Sequence, residues 1–149
     1  MYTDTVTIFN KYKTAQGITW YPTVLHNVDL NTDKGANVAK TGLESADTAK
    51  LHLRYVLTDG AITIAGKPYK GPKEWSAQEA DKLPTSITFT GGSDFFMRGE
   101  YAAVPVNDAD SAYKNGFYDY INKTHDDVYL ITTVGGPYKL IPHFEIGGK

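Results

Sequence analysis

Few residues in this chain have the types and spacing that chemistry needs. Gly60-Ala-Ile-Thr-Ile-Ala-Gly66-Lys67 has the outline of a phosphate-binding loop. It holds one intervening residue too many, and Pro68 stands where a Ser or Thr hydroxyl must hold magnesium. Asp108-Ala-Asp110 opens like a calcium loop, but Ala112 and Tyr113 take the third ligand and the turn glycine positions, so a helix cap explains both aspartates. His26, His52, His125 and His143 show no His-x-His or His-Glu-x-x-His spacing, and no metal site is expected. Paired carboxylates for hydrolysis can be drawn from Glu44, Glu74, Glu79, Asp94 and Glu100, as from any set of seventeen acids. There is no Gly-x-Ser-x-Gly elbow and no cysteine, which removes two nucleophile classes and thiolate metal sites. The expectation is a protein that is not an enzyme and needs no cofactor.

Two aromatic groupings point to binding instead. Lys67, Lys70 and Lys73 lie near Tyr69 and Trp75, a combination able to contact phosphates and stack bases. A solvated lysine-bearing loop explains them as well, and the net charge of −2 supplies no general attraction to nucleic acid. Trp20, Tyr21 and Trp75 are a possible platform for a sugar ring, the reading of a carbohydrate-binding β-sandwich. The eleven Tyr suit half-buried strands and subunit contacts alike, because each joins an apolar body to a polar tip.

The elements that must carry these residues are mostly strands. At 149 residues, 41% hydrophobic and 21% charged, the chain has the make-up of one globular domain, 1–149. No stretch approaches the ~18 apolar residues of a membrane-spanning helix, and Met1-Tyr-Thr-Asp-Thr does not begin a signal peptide. Val6 and Ile8 alternate with Thr7 and Phe9; Val24, His26, Val28 and Leu30 alternate with Leu25, Asn27 and Asp29; Leu51, Leu53, Tyr55 and Leu57 alternate with His52, Arg54 and Val56. Each is the period-2 signature of a strand. Pro22 belongs at a strand start or a sheet edge. Asp59-Gly60 predicts a hairpin returning along 61–65. Further hairpins are expected from 86–90 with 94–100, and from 128–146 folded over Gly135-Gly136-Pro137. Ser76 and Glu79 make a capping box for a short helix near 77–83, and Asp108 or Asp110 can cap a second over 109–122, with Tyr113, Phe117 and Ile121 on one face. Residues 31–49 form a long polar loop without apolar periodicity. The fold class is mainly β: a small antiparallel β-barrel or sandwich with one or two short helices.

Thr5-Val-Thr-Ile-Phe, Thr19-Trp20-Tyr-Pro-Thr-Val-Leu-His-Asn-Val28, the polar loop, Leu51-His-Leu-Arg54-Tyr55 and the closing pair 128–146 come in an order that resembles tailed-bacteriophage head–tail joining proteins. Lys73-Glu74-Trp75, Gly116-Phe117-Tyr118 and Val134-Gly-Gly-Pro-Tyr138 are similar to small prophage structural proteins of Gram-positive bacteria. The resemblance implies a virion subunit assembled in the bacterial host cytoplasm. It would act as a head-closure or neck protein, self-associating into a cyclic ring between the portal or adaptor and the tail proteins. A tail-completion or minor capsid role is the alternative. In that setting Trp20, Tyr21, Tyr69 and Trp75 are candidate subunit contacts. Lys34, Lys40 and Glu44 on the long loop are candidates to face the channel, in non-specific contact with packaged DNA. Deleting 35–46 is then expected to reduce DNA retention in filled heads.

Overall fold

The structure is a computed structural model and describes residues 2–32 and 48–149. Lys34, Lys40 and Glu44, with most of the 31–49 loop, lie outside the described residues.

The strands are β1 (Asp4–Thr14), β2 (Gly17–Thr32), β3 (Ala49–Arg54), β7 (Phe95–Arg98), β9 (Val128–Tyr138) and β10 (His143–Gly148), with a small sheet of β4 (Val56–Thr58), β5 (Ala61–Ile64) and β6 (Lys67–Pro68) between. Two residues, β8 (Val106–Asn107), add to the edge of β2. In the main sheet the order β1-β7-β9-β10-β3-β2 closes through a β1–β2 pairing, giving a six-stranded antiparallel barrel.

Alternation decides what fills it. Val6, Ile8, Leu30, Leu51, Leu53, Ile131, Phe144 and Ile146 point inward and form one core cluster. The segment between β3 and β7 feeds Ile64, Ile87 and Phe89 into the same cluster, so the interior is packed with side chains. On the outer wall Phe9, Trp20, Phe95 and Met97 would be exposed, but helix α2 (Phe117–Thr124) covers them with Phe117 and Ile121. Thus β1 is buried on both faces from Val6 to Asn10.

Pro22 lies opposite Phe9 inside β2, where, among the described residues, the strand's other side has no ladder partner: β8 stops at Trp20 and β3 begins opposite Asp29. The missing N–H is therefore not needed there. The Asp59–Gly60 turn is formed, with both residues at positive φ.

Four local expectations are corrected. The C-terminal hairpin turns at 139–142, with Tyr138 opposite His143, and Gly135-Gly136-Pro137 lies inside β9. Those glycines serve close approach: a Cβ on Gly135 would stand 2.7 Å from the Tyr138 hydroxyl. The helix expected at 77–83 is replaced by α1 (Pro72–Ser76) and a 3₁₀ helix over Ala80–Thr85. Pro72 presets the first turn of α1, buried Trp75 fixes its face, and the Ser76 hydroxyl donates to the Lys73 carbonyl rather than capping. The helix expected over 109–122 starts at Phe117, because 107–116 is a run of turns ending at Gly116, φ 96°. Of the hairpin expected from 86–90 with 94–100, only Phe95–Arg98 is strand; 86–90 crosses into the core beside a single bridge from Tyr69 to Ile87.

Candidate functional site

The aromatic residues expected to meet neighbouring subunits are mostly spent within the chain. Trp20 is 4% exposed, lies edge-on to Phe95 beneath α2, and donates its Nε1–H to Asp108 Oδ1 at 2.8 Å. Trp75 is 2% exposed, with Tyr12 and Tyr21 edge-on at 6.1 and 6.0 Å between ring centres. Tyr69 stacks on Phe89 and packs against Phe144, and Tyr21 is half-buried. Trp20 and Tyr21 are successive residues of β2 and therefore point to opposite faces. No sugar platform survives from Trp20, Tyr21 and Trp75, and no base-stacking surface from Tyr69 and Trp75. Two of the three lysines beside them are occupied too. Lys67 Nζ donates to Thr23 Oγ1 at 2.9 Å, with burial pulling its pKa down, and Lys70 pairs with Glu74 at 3.7 Å.

The exposed apolar side chains lie elsewhere. The β9–β10 turn presents Leu140, 98% exposed, and Ile141, 66% exposed. Next to it β4 presents Val56 and Leu57, 61% and 62% exposed. The two tips are joined by hydrogen bonds from Tyr55 N–H to the Pro142 carbonyl and from the Tyr55 hydroxyl to the Tyr138 carbonyl. Between them lies a cleft of about 400 Å³ lined by Tyr55, Leu57, Ile62, Lys139 and Pro142. The alternation of 51–57 hid this surface: Leu57 continues the parity of Leu53, but the chain leaves the barrel wall after Arg54.

Polar chemistry gathers in two places. Inside, the Asp94 carboxylate accepts from Asn10 Nδ2, Lys11 N–H and Thr90 N–H, each at 2.9 Å. Outside, Asp29, His52, His143 and Glu145 share one face of β2, β3 and β10. His143 Nε2 lies 3.1 Å from Glu145 Oε2, and its Nδ1 bonds the Ile141 carbonyl. That carbonyl and then Glu145 push the His143 pKa up, and the bond from His143 pulls that of Glu145 down. Among the described residues, no group of three or more His, Cys, Asp or Glu could hold a metal ion. Linear spacing gave no sign of this cluster, which only the strand register assembles.

Across residues 1–149 the chain matches, and belongs to, a family of unknown function (DUF6751). No curated protein and no solved structure matches it.

Proposed function

We propose that this chain is a structural subunit of a tailed-phage virion, a head–tail connector of the head-closure or neck type that works by docking rather than catalysis. The observation that carries the reading is the pair of apolar tips, Val56-Leu57 and Leu140-Ile141, projecting from one end of a barrel whose interior is filled. Apolar side chains grouped at one end of a rigid body are what a protein interface uses, and two tips flanking a cleft give it shape. The virion context comes from the segment order described above. The portal or adaptor, the tail proteins and neighbouring copies are the partners this reading assigns.

The test is made on induced particles of a phage that encodes the chain. Mass spectrometry is expected to find it in purified virions, and deletion to give heads that lack tails or lose DNA. Normal infectious particles from the deletion strain would overturn the proposal. A defect confined to the tail end of otherwise joined particles would shift the assignment to tail completion.

A further inference from the structure

His143 opens β10 just past the β9–β10 turn and stands opposite Tyr138, the last residue of β9, so its ring sits at the base of the Leu140-Ile141 tip. Two polar contacts fix that ring. Nδ1 bonds the Ile141 carbonyl inside the turn, and Nε2 lies 3.1 Å from Glu145 Oε2, two residues along on the same face. Tyr138 stacks on the ring with 4.9 Å between ring centres.

Both polar partners are acceptors. A carbonyl oxygen has no proton to give, and neither has an ionised carboxylate. Each ring nitrogen must therefore donate, and only the imidazolium carries a proton on both. In a neutral ring one nitrogen turns its lone pair toward an oxygen, whichever tautomer forms, and one of the two contacts is lost. The bonded arrangement is that of a charged ring held between the turn and a charged acid.

We propose that His143 is a proton-operated latch on the β9–β10 turn: charged, it ties Ile141 to Glu145 and holds the Leu140-Ile141 tip in place; neutral, it releases one of the two. This deepens the docking reading by naming what regulates the tip, and only the consequence for docking rests on that reading. The groups around the ring come from every neighbouring element. Glu145 lies on its own strand. From β3, His52 places Nε2 3.8 Å from Glu145 Oε1, and Lys50 also acts on that carboxylate. Asp29 of β2 stands beyond, 3.8 Å from His52 Nδ1. Arg54, opposite His143 in the β3–β10 register, sets its guanidinium 4.0 Å over the Tyr2 ring. β9 and the turn add Tyr138 and exposed Lys139. The Ile141 carbonyl and then Glu145 outweigh desolvation and raise the His143 pKa above its ordinary 6.5. With the folded value above the unfolded one, the latch's stabilisation is full below pH 6.5 while Glu145 stays ionised, and is lost as pH rises through the folded value.

The isolated full chain is titrated by NMR between about pH 5 and 9. The His143 ring protons are expected to titrate above pH 6.5. Across the same titration the Tyr55 amide, bonded to the Pro142 carbonyl, is expected to lose about threefold or more of its protection, after correction for the intrinsic pH dependence of exchange. In Glu145→Gln the side-chain amide can donate to an unprotonated Nε2, so no second ring proton is needed. There the His143 pKa is expected to fall by about half a unit or more, and Tyr55 protection to stay level. His52→Gln and His26→Gln are expected to keep the pH response, and amide spectra establish that each variant keeps the barrel. A His143 pKa at or below 6.5, a value unmoved by Glu145→Gln, level Tyr55 protection in the parent, or a response abolished by His52→Gln would overturn the latch. With no partner in the sample, none of these outcomes bears on whether the tips dock.

Discussion

Asp94 is 1% exposed, and burial pushes its pKa from the ordinary 3.8 up to about 6, against the pull of the Lys11, Asn10 and Thr90 donors. Its folded form therefore holds a proton more tightly than its unfolded form. Between those two values the native state binds more protons, so this group makes stability fall as pH rises from about 3.8 to 6, and adds no slope above. Asp94→Asn should remove that slope from urea-melting stability measured at several pH values; an unchanged slope would place its origin elsewhere. Asp94→Ala leaves three donors without their acceptor and should cost about 2–5 kcal/mol by chemical denaturation, because buried polar groups lose their desolvation energy unmatched. A loss below about 1 kcal/mol would mean that the donors find other partners. In the sequence Asp94 is one acid among seventeen. Its role is set by Asn10 and Lys11, eighty-odd positions away along the chain, where no spacing rule reaches.

Helix α2 shows the same dependence on remote partners. Asp108 Oδ1 accepts both the Trp20 indole N–H and the Phe117 N–H, each at 2.8 Å, so one carboxylate ties β2 to the start of the helix. Reading Asp108 as a cap was sound in its chemistry, but the helix it caps begins nine residues later. Tyr113 packs on Phe117 from outside the helix, which is why a spacing of four suggested a longer one. Asp108→Ala should cost about 2–4 kcal/mol, since bonds to a charged acceptor are the stronger kind. Asp110→Ala, in an exposed turn, should cost less than about 1 kcal/mol. Equal losses would deny Asp108 its double duty. The strands were legible where alternation is strong, as at Leu51–Arg54, because one buried face imposes a period of two. Glycine was read as a turn signal at 135–136, whereas there it lets the Tyr138 ring and the β10 backbone come close.

For the molecule as a whole, the apolar tips proposed to dock stand apart from the packed barrel. Leu140→Asp and Ile141→Asp change side chains that pack on little within the chain, and should keep unfolding free energy within about 0.5 kcal/mol of the parent. The same variants should lower incorporation into particles; full incorporation would remove this surface from the interface. Mainly-β class was legible from alternation, and the surface was not. Bulky aromatics drew attention as contacts, yet they satisfied the demand for core volume, leaving aliphatic turn residues to face outward. The strand order has a further consequence for how the molecule comes into being. β10, made last of the six, seats between β9 and β3, which are each other's neighbours only through it. During synthesis β1, β2 and β3 leave the ribosome as a meander with an open flank and wait for nearly the whole chain before the cylinder can seal. Such distant pairings slow folding and keep sticky margins uncovered. A nascent chain halted ahead of His143 should therefore remain chaperone-bound or aggregate, while one released just past Gly148 closes.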